Sequence, residues 1–155
     1  MEKIKEILLA EDDPNDIELT LSALNEYNLA NSVQVVHNGE EAIDYLHRRG
    51  SFQNVPPGNP AVILLDLKMP KINGLEVLRH IKSDANLMYV PTVILTSSHE
   101  ERDIVESYKL GVNAYVVKPV DFKQFVYAVK ELGMFWALFN EPPPGCVKKS
   151  PMSAK

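Results

Sequence analysis

Asp66 follows five uninterrupted apolar residues, Ala61 to Leu65, and precedes Leu67-Lys68-Met69-Pro70, which turns the chain away. Bounded by Pro60 and Pro70, that run is too short for a helix and reads as a strand buried on both faces. Three further segments that read as strands also end in reactive groups: Ile4 to Ala10 in Glu11-Asp12, Val90 to Leu95 in Thr96, and Ala114 to Val117 in Lys118. Singly, each is read as a solvated loop residue. If the strands are parallel, these ends share one edge, where open α/β sheets place their ligands. Three carboxylates would then meet one ammonium, and two like charges ~4 Å apart cost about 4 kcal/mol at a surface-like dielectric. The deficit calls for another cation. Oxygen donors favour a hard divalent ion, with Mg2+ the usual one beside phosphates. A carboxylate, a hard metal, a lysine and a hydroxyl suit transfer of a phosphoryl group to Asp66.

Amphipathic segments must hold these ends in place. Asn15 with Glu18, Asn38 with Glu41, and Asn73 with Glu76 have the form of capping boxes. Behind them Ile17, Leu21 and Leu24, then Ala42, Ile43 and Leu46, then Leu75, Leu78 and Ile81 recur at helical spacing. A fourth helix, Glu100 to Leu110, offers Ile104, Val105 and Tyr108 to the core and stops at Gly111. The fifth starts at Asp121 and Gln124, with Phe122, Phe125, Val126, Val129 and Leu132 inward, and runs on through Met134 to Phe139. Val33, Val35 and Val36 form a short second strand. Arg49 to Pro60, with two glycines and three prolines, is a loop.

Five strands alternating with five helices imply an α/β fold, a doubly wound parallel sheet in the common order 2-1-3-4-5. The 155 residues suit one domain over 1–140, followed by a flexible Pro-rich tail over 141–155, with no output domain expected. Sixteen basic against 21 acidic residues give net charge −5, which argues against nucleic acid as partner. The single Cys146 and the lack of a long apolar run point to a cytoplasmic protein without a membrane partner. His37, His47, His80 and His99 show no metal-ligand spacing and are read as bland, with His99 near the mouth of the site.

Together these motifs make the chain resemble the receiver domain of two-component response regulators over about Ile4 to Leu132. The resemblance rests on Glu11-Asp12, on Asp66 with Met69-Pro70, on Thr96-Ser97, and on Tyr115 with Lys118-Pro119. Separations of 30 residues from Asp66 to Thr96 and 22 from Thr96 to Lys118 are typical of it. The resemblance implies a flavodoxin-like receiver fold and Asp66 as phosphoacceptor. It implies Mg2+ held by Asp12, Asp66 and the Lys68 backbone carbonyl, with Glu11 acting through water. Thr96 and Lys118 would hold phosphoryl oxygens, Thr96 and Tyr115 would form the switch, and Lys118-Pro119 would be a cis peptide. Lys68 and Ser98 would tune hydrolysis, and Asp13 stays outside the ligand set. The long Arg49 to Pro60 loop and the extended last helix look like the small single-domain regulators paired with cyanobacterial phytochromes. A sensor histidine kinase is the implied partner, and the implied function is a phosphorylation switch rather than a turnover enzyme.

Two rival functions fit the sequence less well. A phosphatase of the haloacid dehalogenase class also uses an aspartyl nucleophile, but it needs a second Asp two positions on, where Lys68 stands. A phosphate-independent interaction module fits poorly with a full complement of site residues. Finally, Phe135, Leu138 and Phe139, extended by Tyr127, exceed what one inward stripe requires. They point to self-association, and the resemblance implies a homodimer through strand five and helices four and five; the bland reading folds this segment back onto its own domain.

Overall fold

The computed structural model describes residues 4–146 and 148–149. Five parallel strands form its sheet: β1 Ile7–Ala10, β2 Val33–Val36, β3 Val62–Leu65, β4 Thr92–Thr96 and β5 Ala114–Val117. Their order is β2-β1-β3-β4-β5, as expected. Five helices connect them: α1 Pro14–Asn25, α2 Gly39–His47, α3 Gly74–Ser83, α4 Glu101–Lys109 and α5 Phe122–Gly133.

Strand alternation divides the core into two layers. Leu8, Ala10, Ile63 and Leu65 pack with Ala42 and Leu46 of α2 and with Val77, Leu78 and Ile81 of α3. Ile7, Leu9, Val62 and Leu64 pack instead with Ala23 and Leu24 of α1 and with Phe125 and Val129 of α5. A central strand therefore has no polar face, which is why β3 reads as an unbroken apolar run.

Helix starts follow local chemistry, with one correction. Asn38 and Asn73 cap α2 and α3 by accepting the N–H of Glu41 and Glu76, as their spacing suggested. The α1 cap is Asp13 rather than Asn15: its carboxylate accepts the N–H of Asn15 and Asp16, and Pro14 occupies the first helical position. A fixed φ suits Pro to that position, so the helix begins two residues earlier than expected.

Three other expectations change. Val105 and Tyr108 of α4 and Phe122 of α5 are exposed, not inward. The continuation Met134–Phe139 is a π-helical turn, in which Ala137 is buried while Phe135 and Phe139 stay exposed. Leu138, expected in an exposed patch, is half-buried against the core with Trp136. The buried Lys5 ammonium closes this turn by donating to the Asn140 carbonyl at 2.6 Å.

Two backbone links involve described residues of the 141–155 segment. Lys148–Lys149 pairs antiparallel with the short strand Ile4–Lys5, and Asn59 N–H donates to the Gly145 carbonyl at 2.9 Å. Residues 150–155 of that tail lie outside the described residues. No described helix is long and apolar enough to cross a membrane.

Candidate phosphoacceptor site

Asp66 leaves the end of β3 with its side chain buried. Its register is set from both sides, because Leu65 pairs with Ala10 of β1 and with Ile94 of β4. Glu11-Asp12 and Thr96 therefore emerge at the same edge. Thr96 pairs with Val117, which brings Lys118 there too. The loop after Asp66 is pinned by Gly74, whose N–H donates to the Leu67 carbonyl at 2.9 Å. A Cβ on Gly74 would overlap the Asp66 carbonyl oxygen and the Leu67 Cα, so only glycine lets α3 start this close.

Lys118 is the electrostatic hub. Its Nζ lies 2.6 Å from Glu11 Oε1, 2.7 Å from Asp16 Oδ2 and 3.2 Å from Asp66 Oδ2. Burial opposes the charged ammonium, but hydrogen bonds to Asp16 and Glu11, together with the charges of Asp66 and Glu11, outweigh it and hold its pKa above the ordinary lysine value. Burial pushes the Glu11 carboxyl up to about 7 against the pull of Lys118, and the Asp66 charge adds to the rise. The expected cis peptide at Lys118-Pro119 is not present: no peptide among the described residues is cis. The trans form is the ordinary preference of an X–Pro bond, and Lys118 reaches Asp66 with it.

Glu11, Asp12 and Asp66 each bring a carboxylate oxygen into a group whose members all lie within 4.8 Å of one another. Buried Glu11 and Asp66 with exposed Asp12 form a half-open set of hard oxygen donors. That donor set fits a hard divalent cation, since Lys118 alone does not balance the carboxylates. Lys68 is exposed, and its N–H donates to Asp66 Oδ1 at 3.3 Å.

Thr96 is fully buried, and its Oγ1 accepts the Ser98 N–H at 3.3 Å. Tyr115 is half-buried and its hydroxyl donates to the Ser98 carbonyl at 3.0 Å. Ser98 thus joins the two expected switch residues, and its own hydroxyl donates to Asp103 Oδ2 at 2.6 Å. Asp16 was missed by sequence reasoning. Its place in the first turn of α1, one turn beyond Glu11-Asp12, was the available signal. The three residues of the expected dimer patch are far along the chain from this site, on the π turn.

Comparison with known proteins agrees with this geometry. The family model for the response regulator receiver domain matches residues 7–130. Response regulator Rcp1 of Synechocystis sp. is 37% identical over 132 residues, covering 85% of this chain and 88% of Rcp1. Its Mn(2+)-bound crystal structure superposes with a TM-score of 0.83, covering 90% of this chain and 99% of that one. The phosphorylated cyanobacterial phytochrome response regulator RcpA is 40% identical with a TM-score of 0.84, over 90% of this chain and 98% of that one. Bacteriophytochrome response regulator RtBRR is 62% identical with a TM-score of 0.72, over 92% of this chain and 86% of that one. The chain belongs to the response regulator receiver family of two-component signalling, among relatives of the phytochrome response regulators.

Proposed function

We propose that Asp66 accepts a phosphoryl group from a phosphohistidine of a phytochrome-type sensor kinase, and that the modified domain signals through altered protein contacts in the cytoplasm. The observation that carries this reading is the Lys118 ammonium 3.2 Å from Asp66 Oδ2 beside the carboxylates of Glu11 and Asp12. An Asp66 carboxylate oxygen forms the bond to phosphorus as the P–N bond of the donor breaks, and the leaving imidazole takes up a proton. Lys118 holds the nucleophile oriented and balances charge on the phosphoryl oxygens, and the Thr96 hydroxyl donates to one of them. The residues that would hold Mg2+ are Asp12, Asp66 and the Lys68 carbonyl, with Glu11 through water; the ion would supply further charge neutralisation for the phosphoryl oxygens. The resemblance to RtBRR and RcpA favours a phytochrome as the kinase.

Exposed Val105, Tyr108, Val117, Tyr127, Phe135 and Phe139, spread over α4, β5, α5 and the π turn, support homodimerisation through that side. The chemistry is tested by intact-mass measurement with acetyl phosphate. The expected result is a one-phosphate gain that needs a divalent ion and vanishes in Asp66→Asn. A gain that survives in Asp66→Asn overturns the assignment.

A further inference from the structure

The closing turn of α2 and the second half of α3 bring together two histidines that lie 33 residues apart in sequence. His47 Nε2 and His80 Nε2 are 2.7 Å apart, with the rings edge to face at a centroid distance of 5.0 Å. Asp84, where α3 ends, directs Oδ2 to 3.8 Å from His47 Nε2. All three ligand atoms lie within 4.8 Å of one another, and all three residues are half-buried.

A contact this short between two ring nitrogens accommodates one proton: one nitrogen donates N–H and the other accepts through its lone pair. A metal ion in place of that proton would be met by both lone pairs and a carboxylate oxygen. Two imidazoles and a carboxylate are a donor set of catalytic zinc centres, whereas Mg2+ and Ca2+ prefer oxygen alone. We propose that His47, His80 and Asp84 form a second metal site on this chain, selective for a borderline divalent transition ion such as Zn2+. Zinc bonds of about 2.0–2.1 Å in a tetrahedron place neighbouring ligand atoms ~3.4 Å apart. The histidine pair then opens, and the His47–Asp84 gap closes, each by less than about 1 Å, within reach of side-chain torsions.

The supports of these ligands are already in place. Asp84 Oδ1 accepts the N–H of Asn86 and Leu87 at 2.8 and 3.1 Å, which leaves Oδ2 turned to the histidines. The end of α2 is anchored by Arg48, in a left-handed conformation, whose guanidinium donates to the carbonyls of Tyr45, Pro56 and Gly58. Tyr45 is in turn buried and donates to Glu6 Oε1 at 2.7 Å. Ligands carried on such fixed backbone bind with little reorganisation. The ion would clamp α2 to α3 and keep one coordination position open to water. His80 sits six residues beyond Gly74, about 9 Å along α3 at 1.5 Å per residue, so this site is separate from the one at Asp66.

The test uses the untagged chain, stripped with chelator and then held in excess Mg2+ to occupy the Asp66 site. Calorimetric titration with Zn2+ is expected to show one equivalent bound, and Co2+ to give visible d–d bands. His47→Ala and His80→Ala are expected to weaken Zn2+ at least about tenfold, since even outer-shell partners of a metal are worth that much. His37→Ala, His99→Ala, Cys146→Ser and Asp66→Asn should each bind as wild type does. His80→Gln, with the melting curve in chelator compared to wild type, separates loss of a ligand from loss of fold. No binding at tens of micromolar Zn2+, undiminished binding in the folded His80 variants, or loss in Asp66→Asn would each overturn the proposal.

Discussion

The Lys118 ammonium lies closer to Glu11 than to Asp66, at 2.6 Å against 3.2 Å. Without a metal, this lysine is the counter-ion of the acidic pocket, and its bond to Asp66 is the longest of three. Removing it should leave buried carboxylates unbalanced. Lys118→Ala is expected to destabilise the metal-free chain by about 3 kcal/mol, the low end for breaking a buried ion pair, because Glu11 can relieve part of the strain by taking a proton. At this size that is a melting-point drop of roughly 6–12 °C. Addition of Mg2+ should raise the melting point of the variant more than that of wild type. Equal metal responses in the two proteins would count against shared occupancy of the pocket.

Asp16 competes with Asp66 for the same ammonium at 2.7 Å. Asp16→Asn keeps a neutral acceptor there while removing a charge, which frees Lys118 to favour Asp66. The expected outcome is an unchanged fold and faster phosphorylation by acetyl phosphate, by several-fold if about 1 kcal/mol of the ammonium's attachment is released. Stopped-flow or mass-based kinetics measures it, and a rate below wild type would show that Asp16 assists the transfer instead.

Thr96 and Tyr115 meet at Ser98, one on its N–H and the other on its carbonyl. Drawing the Thr96 hydroxyl onto a phosphoryl oxygen removes the acceptor of Ser98 N–H, so the loop and Tyr115 respond together. Thr96→Ala should still accept phosphate but lose most of the coupling. A hydrogen bond is worth about 1 kcal/mol, so the phosphorylation-dependent change in partner affinity should shrink about fivefold. Tyr115→Phe, which keeps the ring and removes the bond to Ser98, should shrink it similarly. Full coupling in both variants would mean that the signal leaves by another route.

Much of this site was legible because it is written at strand ends. A strand buried on both faces must be apolar throughout, so the first charged residue after it marks the sheet edge, as Leu65-Asp66 and Ala10-Glu11 do. What stayed hidden depends on tertiary placement. Asp16 looks like an ordinary first-turn acid until Lys118 is seen against it. His47 and His80 belong to separate helices, and only the packing of α2 on α3 joins them. Phe122 has the spacing of an inward residue but is the first residue of α5 and is 61% exposed. Leu138 went the other way, because the π turn re-aims side chains relative to a continued α-helix.

That difference within the last turn separates two roles for its apolar residues. Phe135 and Phe139 are 51% and 69% exposed, while Leu138 packs on the core. Sedimentation at tens of micromolar, with and without a phosphoryl mimic, should show wild type associating. The Phe135→Ala, Phe139→Ala double variant should remain monomeric with an unchanged melting point. Leu138→Ala should instead lower stability by about 2 kcal/mol, the low end for truncating a core leucine. A wild-type monomer under every condition would end the pairing reading.

Gly74 and Gly133 are both closely approached, yet alanine should act very differently at the two. At Gly74 the new Cβ meets backbone, the Asp66 carbonyl and the Leu67 Cα, neither of which can rotate away. At Gly133 it meets the tip of the Leu24 side chain, with Leu29 Cδ1 at 3.3 Å, and a leucine has other rotamers. Overpacking costs about 1–3 kcal/mol, and replacing a helical glycine by alanine returns about 1 kcal/mol. Gly133→Ala should therefore be destabilised by no more than about 2 kcal/mol, and its Asp66 should be phosphorylated at the wild-type rate. Gly74→Ala should lose more stability than this, and the folded fraction should phosphorylate slowly, because α3 can no longer seat against the loop that aims Asp66. Melting curves together with acetyl phosphate kinetics distinguish the two. Normal phosphorylation in folded Gly74→Ala would show that the loop tolerates displacement and that the close approach serves packing alone.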